Sequence, residues 1–164
     1  MSSTLSPELS ALQTKIDAGT AHIGIYGLGY VGLPLALRFA EVGLKVTGFD
    51  IDSAKVQQLN AGESYIERLQ PAVIQRAQSH GFEATTDFSL SKEVDAIIIC
   101  VPTPLNRYRE PDLSYIIATI ESALPHMRAG QLVSLESTTW PGTTEEVLAP
   151  RLRARGLVPG ENCA

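Results

Sequence analysis

His22-Ile23-Gly24-Ile25-Tyr26-Gly27-Leu28-Gly29-Tyr30-Val31-Gly32-Leu33-Pro34-Leu35-Ala36 is the stretch on which the fold turns. It opens as a short apolar run, passes through glycines spaced G-x-G-x-x-G, and continues as an almost wholly apolar segment to Val42. A short apolar run is strand material, and glycine is the residue that lets a chain reverse tightly. The reading is strand, turn, helix. Ala18 to Leu37 contains no Asp, Glu, Lys or Arg, so a membrane span has to be weighed. Gly19, Gly24, Gly27, Gly29, Gly32 and Pro34 interrupt that stretch and favour a strand–turn–helix in water. The preceding segment carries Glu8, Lys15 and Asp17 and is not a secretory signal.

The same alternation runs outward along the chain. Residues 1–6 are rich in Ser and Thr and read as frayed, and Ser6 with Pro7 starts a helix to Ala18. Strands are expected at His22–Tyr26, Lys45–Asp50, Phe82–Thr86, Val94–Val101 and Gln131–Ser137. Between them, helices are expected at Tyr30–Val42, Ser53–Asn60 and Gln70–Ser79. Two more are expected from Asp112 to about Arg128 and from Thr143 to Arg155. Near-continuous apolar strands separated by helices mean a parallel sheet covered on both faces. Right-handed crossovers make it a doubly wound, mainly parallel α/β sheet of the Rossmann type, in a single domain. Residues 1–20 read as an N-terminal extension and 21–164 as the domain itself. The last residues, from Gly156 onward, read as a loop leading towards a further strand, which suggests truncation.

A G-x-G-x-x-G run is weak evidence by itself. Here it follows an apolar strand, opens an apolar helix and precedes Asp50, which ends the next strand 23 positions after Gly27. Dinucleotide binding requires that context, with the acidic residue about 20 positions on. Gly27 permits the tight turn, Gly29 lets backbone approach a diphosphate, and Gly32 lets helix and strand pack closely. The free N–H groups near Tyr30 and Val31 then face the phosphates at the positive end of the helix dipole. Asp50 accepts hydrogen bonds from adenosine ribose hydroxyls and repels a 2′-phosphate, so NAD is expected over NADP. Lys55 either reaches the ribose or diphosphate or is a solvated surface lysine; Asp52 reads as a helix cap. A ligand-free structural turn and an S-adenosylmethionine-dependent methyltransferase are the competing readings of this segment.

Two later strand ends carry unusual chemistry. One finishes Cys100-Val101-Pro102-Thr103-Pro104, the other Ser137-Thr138-Thr139-Trp140-Pro141-Gly142-Thr143-Thr144. Prolines flanking a hydroxyl residue hold it in place at little ordering cost, although they also serve to end strands. Thr143 and Glu146 equally suit a capping box. Taken together, Gly27–Ala36, Cys100–Leu105 and Glu136–Glu145 resemble the NAD domain of the UDP-glucose/GDP-mannose 6-dehydrogenase family. The segment Cys100–Tyr115 is similar to the UDP-N-acetylglucosamine 6-dehydrogenases of polysaccharide biosynthesis.

That resemblance implies an oxidoreductase that uses two NAD to take a UDP-sugar C6 alcohol to a carboxylate through a cysteine-bound intermediate. By motif it implies that Gly27, Gly29, Tyr30, Val31, Gly32, Asp50 and Lys55 contact NAD. It adds Val101 and Pro102 to the cofactor contacts and puts Thr103 by the nicotinamide ribose. Thr138 matches the threonine that helps hold the catalytic water beside the cofactor. The family's nucleophilic cysteine segment, the lysine and asparagine of its central helix and its UDP-sugar domain have no counterpart here. The chain is therefore expected to bind NAD without turning over, and the full-length protein to be a homo-oligomer. A stand-alone NAD-binding regulatory module and a 6-phosphogluconate-type dehydrogenase domain are the alternatives.

The remaining features narrow the class. With 44% hydrophobic and 19% charged residues the chain is globular, and its net charge of −5 argues against nucleic acid and anionic membrane as partners. Only Cys100 and Cys163 occur, one in a buried strand and one in a terminal loop. Neither reads as the nucleophile, and a reducing cytoplasm is expected. His22, His80 and His126 lack metal spacing and read as surface or capping residues, so no metal is expected. Arg107 and Arg109 either meet a diphosphate or ride a solvated loop. Trp140 packs at the cofactor edge or merely closes its loop.

Overall fold

The computed structural model describes residues 5–164. Most of the expected frayed start falls on residues 1–4, which lie outside the described residues. Strands β1 (Ile23–Tyr26), β2 (Val46–Phe49), β3 (Phe82–Thr85), β4 (Ala96–Ile99) and β5 (Leu132–Leu135) form one sheet in the order β3-β2-β1-β4-β5. Every pairing is parallel, and Ile23 lies opposite both Val46 and Ala96. The carboxyl ends Tyr26, Phe49 and Ile99 therefore finish level at one edge. Strand order reverses between β1 and β4, and that crevice is where doubly wound sheets receive ligands.

Helices cover both faces. On one side α2 (Gly32–Glu41), α3 (Ser53–Asn60) and α4 (Pro71–Ser79) bury Leu33, Leu37, Leu59 and Ile74 against β1 and β2. On the other, α5 (Ser114–Ala123) and the short α6 (Ala149–Arg153) bury Ile116, Ile120 and Leu152 against Ile97 and Ile99. Strands β1, β2 and β4 are buried on both faces, as their unbroken apolar character requires.

Helix α1 (Pro7–Asp17) starts where expected, with Ser6 Oγ accepting the Leu9 N–H at 3.3 Å. It is tied to the domain: Leu9 and Leu12 are buried, and Lys15 Nζ reaches Asp95 Oδ1 at 2.7 Å. Asp95 also accepts from Arg128 Nη2 at 2.8 Å and from the His22 N–H at 2.9 Å.

The structure corrects four expectations. His22 is buried: its Nε2 pairs with Thr47 Oγ1 at 2.9 Å and its Nδ1 with the Glu93 carbonyl at 3.1 Å. These partners lie 25 and 71 positions away, beyond the reach of local sequence reading. The helix expected from Asp112 to Arg128 stops at Ala123, and a 3₁₀ turn, Leu124–His126, takes in Pro125. The helix expected from Thr143 to Arg155 is instead a π-helical turn, Thr144–Leu148, followed by α6. Pro150 has no N–H to return to the carbonyl of Glu146, and Ala149 bonds five back to Thr144. The capping box does not form: the Glu146 N–H goes to the Gly142 carbonyl at 2.9 Å, and the buried Thr143 hydroxyl donates to the Trp140 carbonyl at 2.8 Å. Cys163 lies in the terminal loop, as expected, and is fully buried there. Beside it, Ala164 N–H meets the Gln131 carbonyl at 3.0 Å and its own carbonyl takes the Val133 N–H at 2.7 Å, the pattern of a parallel ladder.

Candidate functional site

A cleft of about 890 Å³ opens at the carboxyl edge of the sheet, over the crevice between β1 and β4. Its floor is the turn after β1. Gly27 sits at φ +94°, a conformation that side-chain-bearing residues avoid, and its N–H holds the Phe49 carbonyl at 2.8 Å. A Cβ on Gly29 would meet nothing within 4 Å, so the space above the turn is open. The first helical bond of α2 runs from Leu33 N–H to Gly29 O. The N–H groups of Gly29, Tyr30 and Val31 precede it, line the cleft and have no acceptor among the described residues. Three adjacent free donors at a helix start form an anion cradle.

Gly32 has the packing role that its place in the turn predicts, and it stands apart from the other glycines of the turn as a ligand contact. It is buried and does not line the cleft; a Cβ there would land on the Gly27 carbonyl oxygen. Its contribution is the close packing of α2 on β1.

Asp50 closes the cleft's far side from the end of β2. Oδ2 accepts the Leu28 N–H at 2.9 Å and Oδ1 accepts the Asp52 N–H at 3.0 Å. Each carboxylate oxygen keeps a lone pair for a ribose hydroxyl. Asp52 caps α3, accepting from the Ala54 and Lys55 N–H groups at 3.0 and 3.3 Å. Lys55 is half-buried and lines the cleft, its Nζ 5.7 Å from the centre of the Tyr65 ring.

The opposite wall comes from the ends of β4 and β5. Val101, Pro102, Thr103 and Thr138 all line the cleft, Thr138 exposed at its rim. Ser137 Oγ donates to the Val101 carbonyl at 2.7 Å and locks the two ends together. Cys100 reaches the wall, yet its thiol is pushed up to about 11 by burial and by the charge of Glu136. Burial pushes the Cys163 thiol up as well. Neither is a thiolate at neutral pH.

Other residues sort out plainly. Arg107 stacks on Tyr108 at 4.8 Å, and Arg109 adopts φ +63° in a turn built on Asn106 Oδ1, which accepts from Tyr108 and Glu110. Neither arginine lines the cleft, nor does the partly exposed Trp140. Among the described residues no three His, Cys, Asp or Glu side chains gather as a metal site. Sequence reading missed Phe49, Tyr65, Phe88, Tyr115 and Glu136, which all line the cleft. Phe49 and Phe88 belong to an aromatic cluster with Tyr26, whose centroids lie 4.3 Å from Phe49 and 5.8 Å from Phe88.

Residues 21–158 match the description of the UDP-glucose/GDP-mannose dehydrogenase family, NAD binding domain. The chain belongs to that family. It is 37% identical over 130 residues to the UDP-N-acetyl-D-glucosamine 6-dehydrogenase of Salmonella typhi, which covers 79% of this chain and 30% of that protein. It is 40% identical over 142 residues to the UDP-N-acetyl-D-mannosamine dehydrogenase of Pyrococcus horikoshii, covering 84% and 33%. The solved NDP-N-acetyl-D-galactosaminuronic acid dehydrogenase of Methanosarcina mazei Go1 superposes with a TM-score of 0.83 at 34% identity, over 96% of this chain and 36% of that one. The chain thus spans about a third of the length of these relatives. The match is to a Rossmann-type NAD-binding domain, and it favours neither the methyltransferase nor the 6-phosphogluconate-type reading. The residues present fit the cofactor: open space over Gly29, free donors at the α2 start, a buried acid at the β2 end, and a cleft within the usual range for such ligands. No helix among the described residues is long and apolar enough to cross a membrane.

Proposed function

We propose that this chain holds NAD for a UDP-sugar 6-dehydrogenase that oxidises the C6 alcohol of a UDP-N-acetylhexosamine, of the glucosamine type, to a carboxylate. One observation carries the reading. The free N–H groups of Gly29, Tyr30 and Val31 and the Asp50 carboxylate flank one open cleft at the strand-order reversal. In this assignment Gly27, Gly29, Tyr30 and Val31 receive the diphosphate, and Asp50 takes the adenosine ribose, with Lys55 beside it. Val101, Pro102, Thr103 and Thr138 flank the nicotinamide end. NAD, when bound, supplies the hydride acceptor. Thr138 offers its hydroxyl at the exposed rim, where it positions a water molecule for the sugar carbon.

The 164-residue chain by itself is expected to leave UDP-sugars unoxidised, because its two thiols are buried and protonated. Residues 21–164 form the cofactor domain, with 1–20 as an extension. Both cysteines are free, which fits a reducing cytoplasm. The sugar contacts and the oligomer contacts belong to the longer protein.

Calorimetric titration tests the assignment. NAD⁺ should bind at least about tenfold more tightly than NADP⁺, a difference of ~1.4 kcal/mol. Equal affinities would remove the role given to Asp50. NADH formation from UDP-N-acetylglucosamine by this chain would overturn its inactivity.

A further inference from the structure

The two peptides that meet at Leu28 are each held, the Gly27–Leu28 peptide by its N–H and the Leu28–Gly29 peptide by its carbonyl. Asp50 Oδ2 accepts the Leu28 N–H at 2.9 Å, and the Tyr65 hydroxyl donates to the Leu28 carbonyl. Tyr65 comes from the connection between α3 and α4, 37 positions downstream, and lines the cleft. Its own backbone is fixed on both sides. Ser64 Oγ donates to the Ile66 carbonyl at 3.0 Å and accepts the Ile66 N–H at 3.1 Å. Gln58 Nε2 holds the Ser64 carbonyl at 3.1 Å, and the Ile66 side chain is buried in the core.

A peptide group is planar and trans, so its carbonyl and N–H point in opposite directions. Turning the Leu28 carbonyl onto Tyr65 turns the Gly29 N–H away from Tyr65. That N–H has no acceptor among the described residues, and Gly29 lies in the open turn. Were the peptide to flip, a carbonyl oxygen would face the anion in place of a donor. We propose that Tyr65 is a positioning residue that fixes the Leu28–Gly29 peptide so that the Gly29 N–H is already aimed at the cofactor diphosphate. This rests on the assignment of the glycine turn to the diphosphate made above. Burial first, then the Asp50 and Asp52 carboxylates, hold the Tyr65 hydroxyl protonated well above neutral pH, so it stays a donor. The Lys55 ammonium over its ring adds positive charge beside the turn.

The test compares Tyr65→Phe, which keeps the ring and loses the hydroxyl, with Tyr65→Leu, which loses both. Each is titrated with NAD⁺, ADP and adenosine, the last having no diphosphate. Losing one such hydrogen bond should weaken NAD⁺ and ADP by about 2- to 12-fold in Tyr65→Phe and leave adenosine unchanged. The Gly29 amide resonance should move on ADP addition in the wild type and move less in Tyr65→Phe. An equal loss for all three ligands would make Tyr65 merely structural. Wild-type affinity in Tyr65→Phe with a loss confined to Tyr65→Leu would assign the effect to ring packing. Either overturns the inference while leaving the cofactor assignment standing. Failure of the wild type to bind ADP or NAD⁺ would remove both.

Discussion

Gly29 and Gly32 stand in one turn and serve it in opposite ways, which their alanine substitutions should separate. A methyl on Gly29 meets only open space, so Gly29→Ala should hold its stability within about 0.5 kcal/mol. The same methyl occupies room that the diphosphate needs, and NAD⁺ affinity should fall more than about tenfold. A methyl on Gly32 meets the Gly27 carbonyl oxygen, and relieving that overlap should cost about 1–3 kcal/mol. Gly32→Ala should therefore lose both melting temperature and affinity. Thermal unfolding beside NAD⁺ titration checks the pair; equal destabilisation of both would sink the distinction. These roles were readable because a glycine's function is set by backbone within a few residues of it. Asp50 was readable for the same reason, as the end of the adjacent strand. Tyr65 was not, because its partner Leu28 lies 37 positions away and nothing near Tyr65 marks it.

At the level of elements, the amino end of the sheet carries the charge chemistry. Burial alone would raise the Asp95 carboxyl, but the His22 N–H, Lys15 and Arg128 outweigh it and hold it below the ordinary range. A carboxyl depressed in the folded state stabilises fully above its unfolded pKa and loses that contribution as pH falls through the folded value. Asp95→Asn should lower stability by roughly 1–3 kcal/mol at pH 7 and flatten the acid limb of the melting curve. His22 works at higher pH. Burial, then the charge of Lys45, lower its imidazole, while the Glu93 carbonyl and the charges of Asp95 and Glu83 partly oppose them. The unfolded state then takes up a proton first, below about pH 6.5, and stability falls as pH drops from there. Urea midpoints from pH 7 to pH 5 should decline in the wild type and in a variant of the exposed His126. They should stay flatter in His22→Gln. A wild-type midpoint level across that range would refute the His22 account. Strand and helix order was legible here because apolar period and prolines are local signals. The burial of His22 and the π-helical turn before Pro150 depend on partners or register that local pattern does not carry.

For the whole molecule, the alternation of strands and helices was enough to give a parallel, doubly wound sheet, because right-handed crossovers allow few other windings. Level strand ends then bring residues from Gly27 to Thr138 to one cleft, although they span most of the chain. A site assembled from four strand ends exists only while the sheet is folded, so cofactor binding and folding must be linked. With free NAD⁺ at about 100 times its Kd, linkage adds ~2.7 kcal/mol to the folded state. For a chain of this length that corresponds to a rise in melting temperature of roughly 5–11 °C. NADP⁺ at the same concentration should give a smaller rise, since the buried Asp50 carboxylate faces the position of its extra phosphate in the proposed assignment. Because linkage follows affinity, a loss of tenfold or more in Gly29→Ala should leave at most about half the rise, while its ligand-free melting temperature stays at the wild-type value. An undiminished rise in Gly29→Ala would mean that the nucleotide binds somewhere other than over the glycine turn.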